Sequence, residues 1–157
     1  MVRISALNCT NVKGNDTYCE VAEMFGSHDV DVGSYAEEAV WNAEALYPIP
    51  EGLQSQDAAP LMCGGATVWT PLTTYGLRAG DRVGVIGIGG LGHLAIQMGA
   101  KLGFEVVVFS GTDSKKAEAV KLGASEFHAT KGRADFKDVK KLNALLITGS
   151  SQPQFDL

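Results

Sequence analysis

From Arg82 onward, short unbroken apolar runs alternate with stretches whose apolar residues recur at helical spacing. In "RAGDRVGVIGI" a Gly-Asp turn leads into a continuous β-branched run, the pattern of a strand buried on both faces. "HLAIQMGAKLG" then has helical periodicity, with Gly103 as its stop. A second apolar strand is predicted at "EVVVFS" (105–110), followed by a charged helix at "DSKKAEAVKLG" (113–123). A short strand at 126–129, a polar segment and a fourth strand at "ALLITG" (144–149) complete the series. Strands and helices alternating at this spacing predict βαβ units, hence an α/β fold with a parallel sheet and right-handed crossovers.

Upstream the pattern is weaker. Residues 1–33 are rich in Asn, Asp, Gly and Ser, and "VKGND" and "GSHDVDVGS" read as loops. "SYAEEAVWNAEALYPIP" predicts strands over 34–41 and 44–48, closed by Pro48 and Pro50. A helix should start at Ser55, with the Ser55 hydroxyl as its cap and Pro60 early enough to be tolerated. A break is expected at Gly64 and Gly65, then a second helix over "ATVWTPLTTY" ending at Gly76. The predicted division is 1–50 and 51–157. A doubly wound sheet ordinarily continues past its fourth strand, so the chain is expected to stop halfway through its fold.

Composition narrows the partners. With 157 residues, 45% hydrophobic and 20% charged, the chain has the makeup of a globular protein. A net charge of -5 with scattered lysines gives no basic face for a phosphate backbone, so nucleic acid is not an expected partner. The longest apolar run, residues 83–100, carries His93, Gln97 and six glycines, which suit a turn better than lipid. No membrane span or secretory signal is read, and a cytoplasmic location is the expectation. Cys9, Cys19 and Cys63 form no C-x-x-C pair and read as reduced thiols.

The chemistry concentrates in "GIGGLG". Gly87, Gly89 and Gly92 have the spacing G-x-G-x-x-G between a buried strand and a helix, the context of a dinucleotide loop. Gly87 permits the tight turn, Gly89 lets backbone approach a pyrophosphate, and Gly92 permits close helix-to-strand contact. Free N–H groups at Gly90, Leu91 and beyond face the anion. About 20 residues on, where an acid would select an unphosphorylated ribose, stands Ser110. "SGTDSKK" instead offers hydroxyls from Ser110, Thr112 and Ser114 and charge from Lys115 and Lys116, a clamp for a 2′-phosphate. Asp113 counts mildly against it.

On the strength of "IPEGL", "AAPLMCGGATVWTPL", "GLRAGDRVGVIGIGGLGHLAIQMGAKLG", "VVVFSGTDSKKAEAVKLGA" and "LLITGS", in order and spacing, the sequence resembles the zinc-dependent medium-chain alcohol dehydrogenases. Within them it is similar to the NADP-linked cinnamyl-alcohol-dehydrogenase-like branch. The resemblance covers nearly the whole chain. It implies a partial Rossmann-type sheet at 51–157, the first half of an NADP-binding domain, and a remnant of a GroES-like β-rich catalytic domain at 1–50. It implies hydride transfer between NADP(H) and an aldehyde or ketone. It also implies cofactor-side roles for Thr67, for Gly87, Gly89, Gly90, Leu91 and Gly92, for Ser110, Thr112 and Lys115, and for Thr148.

By the same resemblance Cys63 falls on a catalytic zinc ligand. The family's other ligands, a further Cys and a Gly-His-Glu segment, are absent, and a tetrahedral site needs three or four. His28, His93 and His128 match no ligand motif and read as ordinary loop, helix and strand-edge residues. "NCTNVKGNDTYC" resembles the tail of the family's structural zinc lobe, with Cys19 on its last ligand. Asn11 stands where the preceding cysteine belongs, and an amide oxygen replaces a thiolate poorly, so structural zinc is not expected. The chain is therefore expected to be inactive alone, and to self-associate or pair with a full-length relative. Two other readings stay open: a non-catalytic nucleotide-binding or interaction module, and a zinc-independent enoyl or quinone reductase.

Overall fold

The computed structural model describes residues 2–4, 22–24, 36–40, 43 and 46–149. The chain divides into two compact units, Met1–Pro50 and Glu51–Leu157. In the first, β1 (Val2–Ile4) pairs antiparallel with β2 (Ala22–Met24), Val2 opposite Met24 and Ile4 opposite Ala22. The strands expected over 34–41 and 44–48 are not found where those spans are described: residues 36–40 and 46–50 are irregular and exposed. Val40 is 98% exposed, so its alternation with polar neighbours marks no buried face. Glu37 and Glu38 are poor strand formers, and Pro48 and Pro50 have no N–H to give a ladder. The rest of those spans, together with Cys9, Asn11, Cys19 and His28, lies outside the described residues.

In the second unit a short helix α1 (Ser55–Ala58) runs into a 3₁₀ turn, Ala59–Met62. Ser55 is the first helical residue rather than the cap. Gln54 holds the cap position, and its carbonyl accepts the N–H groups of Asp57 and Ala58 at 3.0 Å. The break falls at Cys63, after which α2 (Gly64–Thr74) continues through Pro71 and is closed by Gly76 at φ +77°. The chain then forms β3 (Arg82–Ile86), α3 (Gly90–Lys101), β4 (Glu105–Ser110), α4 (Lys116–Leu122), β5 (Glu126–Ala129) and β6 (Ala144–Ile147). The predicted charged helix begins as a 3₁₀ turn over Asp113–Lys115 before it becomes α4.

The expected parallel sheet of four strands is present, in the order β5-β4-β3-β6. Val83 and Val85 of β3 and Val106 and Val108 of β4 turn one face toward the helices. There they meet Val68 and Leu72 of α2, Ala95 and Ile96 of α3 and Ala119 of α4 in a single core. Each Val, Leu or Ile side chain so buried contributes about 1.5–3 kcal/mol, which is why the apolar strands fold this way. The opposite face carries Arg82, Gly84 and Ile86 in register with Glu105, Val107 and Phe109. A Cβ at Gly84 would lie 2.6 Å from Leu145 and 2.7 Å from Leu142, so the missing side chain makes room for those leucines. Among the described residues, no helix is long and apolar enough to cross a membrane.

Candidate functional site

All four strands point their carboxyl ends the same way, and their order reverses at β3: β4 and β5 lie on one side, β6 on the other. In an open α/β sheet that reversal leaves a crevice above the strand ends, where ligands bind. The glycine loop occupies it. Gly87 leaves β3 at φ +93°, a conformation open to glycine, and its N–H donates to the carbonyl of Phe109 at 2.9 Å. Gly92, in the first turn of α3, packs so closely that a Cβ there would overlap the carbonyl oxygen of Gly87. At Gly89 and Gly90 a Cβ would meet nothing within 4 Å. The loop is therefore closed on its protein side and open at its tip, where the first N–H groups of α3 have no intrahelical acceptor.

The other expected residues gather around this loop to different degrees. Thr148, just past β6, donates its hydroxyl to the carbonyl of Ile86 at 2.8 Å, with the Gly87 carbonyl at 3.1 Å. Its side chain thus fastens the loop from the far side of the switch point. Lys115 reaches back from the start of α4 and donates its ammonium to the carbonyl of Ile88, inside the loop, at 2.8 Å. Ser110 ends β4 beside Gly87 and is half-buried. Thr112 is exposed, its hydroxyl 2.8 Å from that of Ser114. Leu91 and Leu94 of α3 lie 3.6 and 3.4 Å from where a Cβ of Gly64 would stand, so the amino end of α2 abuts the loop helix. Thr67 follows one turn later on α2, exposed, with its N–H on the carbonyl of Cys63 at 2.9 Å.

These residues fit a dinucleotide. The open tip at Gly89 and Gly90 leaves room for a pyrophosphate against backbone N–H groups, and Lys115 brings a cation to the Ile88 carbonyl of the same loop. They do not fit zinc. Cys63 is an exposed free thiol, and among the described residues no three His, Cys, Asp or Glu side chains come together as a metal-binding group.

A second polar cluster escaped motif reading. At the amino ends of the strands Arg82 pairs with Glu105 and with Glu126, the latter at 2.6 Å. Glu126 also pairs with His128 at 2.7 Å, and the other ring nitrogen of His128 is 3.1 Å from Arg133. Hydrogen bonding from Arg82 holds the Glu126 carboxyl below the usual range, and Glu126 in turn raises the Arg82 guanidinium. Arg82 and Glu105 sit at the opposite end of β3 and β4 from the glycine loop, and through Glu126 the cluster ties β3, β4 and β5 together.

No protein-family model matches the chain. It is 32% identical over 160 residues to the NADP-dependent alcohol dehydrogenase 6 of Saccharomyces cerevisiae, covering 97% of this chain and 44% of that protein. Among solved structures, a cinnamyl alcohol dehydrogenase (SbCAD4) from Sorghum bicolor matches with a TM-score of 0.62 and 37% identity, over 67% of this chain and 31% of that one. An NAD-dependent alcohol dehydrogenase matches with a TM-score of 0.68 and 31% identity, over 79% and 36%. The chain spans less than half the length of the curated relatives it matches first. Its homologues, in sequence and in structure, are thus cinnamyl and other alcohol dehydrogenases of the medium-chain family.

Proposed function

We propose that the chain is part of an NADP-linked alcohol dehydrogenase or aldehyde reductase of the zinc-type medium-chain family, and that its own share of the work is to hold the dinucleotide. The observation that carries this reading is the loop at the β3–β6 switch point, closed below by Gly92 against Gly87 and open at Gly89 and Gly90. Gly90, Leu91 and Gly92 would present N–H groups to the pyrophosphate. Ser110, Thr112 and Lys115 would take the 2′-phosphate, and Thr67 and Thr148 would flank the nicotinamide side. NADPH, when bound, supplies a hydride to an aldehyde or ketone.

Lys115 favours NADPH of the two cofactors that the relatives' names offer. Its ammonium has three donors, so it can keep the Ile88 carbonyl and still donate to a phosphate. No acid stands at the end of β4 to repel that phosphate, because the position is Ser110. The described residues offer Cys63 alone at a family zinc-ligand position, so no step of the reaction is assigned to them, and no alcohol dehydrogenase turnover is expected from this chain alone.

Fluorescence titration with NADPH and NADH tests the reading. Micromolar binding that favours NADPH is expected. Binding of neither cofactor sinks it, and aldehyde reduction by the purified chain overturns the non-catalytic part.

A further inference from the structure

At Gly89 and Gly90 a side chain would stand in open space, so a ligand can approach the peptide group between them. Its orientation matters, because the Gly89 carbonyl and the Gly90 N–H belong to one rigid plane and point in opposite directions. When the oxygen points along α3, the N–H points out of the helix end, where an anion would sit. His93 holds the oxygen there twice. Its backbone N–H donates to the Gly89 carbonyl at 3.0 Å, and its ring Nδ1 lies 3.0 Å from the same oxygen. A carbonyl oxygen only accepts, so this bond requires the proton on Nδ1. One turn further on, Gln97 makes a bond of the same kind, its Nε2 donating to the His93 carbonyl at 3.0 Å.

We propose that His93 is a positioning residue for the pyrophosphate loop: its imidazole locks the Gly89–Gly90 peptide with the N–H turned toward the anion. The role rests on the dinucleotide reading above and deepens it. In this role His93 acts through the Gly89–Gly90 peptide, so its loss should act on the pyrophosphate and leave the 2′-phosphate grip alone.

The test compares His93→Leu and His93→Gln with the unaltered chain, titrating NADPH and, separately, 2′-AMP, which has the 2′-phosphate but no pyrophosphate. His93→Leu should weaken NADPH about tenfold, the worth of one hydrogen bond, and change 2′-AMP less than about twofold. His93→Gln should recover most of the affinity, since Gln97 shows that a glutamine makes this bond in the same helix. Unchanged NADPH binding by His93→Leu overturns the proposal, as does equal weakening of both ligands. No NADPH binding by the unaltered chain overturns the dinucleotide reading and this one with it. Nitrogen NMR of the unaltered chain gives an independent check that needs no variant to fold. The proton should reside on Nδ1 of His93, and an Nε2–H tautomer overturns the proposal.

Discussion

The hydroxyl of Thr148 donates to the carbonyl of Ile86 at 2.8 Å and lies 3.1 Å from that of Gly87, so the end of β6 is tied to the residue where β3 becomes the glycine loop. Strand pairing alone already places the Thr148 N–H on Ile86 at 2.9 Å. The hydroxyl adds the link to Gly87. Thr148→Val keeps the shape and removes that link, and should cost about 1 kcal/mol, or a few degrees in Tm. NADPH affinity should fall severalfold with it, whereas Thr148→Ser should match the original in both. Thermal unfolding and NADPH titration of the three proteins check this; a Val variant with unaltered affinity means that the hydroxyl serves the sheet alone.

Two neighbouring glycines should respond in opposite ways to the same substitution. In Gly92→Ala the new methyl would overlap the Gly87 carbonyl oxygen and stand 2.9 Å from the Thr148 hydroxyl. Backbone cannot step aside as a flexible side chain can, so α3 must shift from β3, at about 1–3 kcal/mol. At Gly90, the first residue of α3, a methyl meets nothing within 4 Å, and replacing glycine by alanine reduces the conformational freedom lost on folding. Gly90→Ala should therefore be at least as stable as the original, yet bind NADPH more weakly because the methyl occupies the anion's approach. Urea denaturation beside NADPH titration separates the two effects. A Gly90→Ala protein with full affinity argues against a pyrophosphate at this tip.

The strands at 82–86 and 105–110 were legible because their apolar residues are mostly β-branched and lie between turn residues; 105–110 and 126–129 hold as read. The glycine loop was legible for the same reason, since its meaning lies in the strand before it and the helix after it. Local signals failed where something non-local decides. Alternation over 34–41 looked like a strand, but Val40 has no buried face to meet. Arg82 finds Glu105 and Glu126 only through the register of three parallel strands, across 23 and 44 residues of sequence. His93 was passed over because motif reading asks about ligands, whereas its partner is a carbonyl one turn back on its own helix. Lys115 was legible as a charge, but its anchor at Ile88 was not.

That anchor makes Lys115 a test of cofactor choice. Its ammonium is held over the loop by the Ile88 carbonyl rather than left free in solvent, so it approaches a bound ribose already oriented. Lys115→Ala should weaken NADPH at least tenfold and leave NADH within about twofold, because only the first has a 2′-phosphate for the ammonium to meet. Titration of both cofactors against both proteins checks it. Equal loss of NADPH and NADH would assign Lys115 to loop support alone.

The Arg82–Glu126 pair predicts how stability depends on acid. Hydrogen bonding from Arg82 is the largest cause holding the Glu126 carboxyl below its usual range, with His128 adding to it. A carboxyl depressed in the folded state contributes stability that is fully present above its unfolded pKa, about 4.3, and is lost as pH falls through the lower folded value. Glu126 is one-third exposed, so the effect is screened and modest. Protonation also leaves Glu105 as the remaining carboxylate partner of the Arg82 guanidinium, whose Nε already lacks a partner among the described residues. Glu126→Gln removes the titrating group, so the variant should be less stable at pH 7 and lose less than the original between pH 4.5 and 3. Urea midpoints across that range decide it. Parallel curves for the two proteins would show that the acid sensitivity of this fold arises elsewhere than at the junction of β3, β4 and β5.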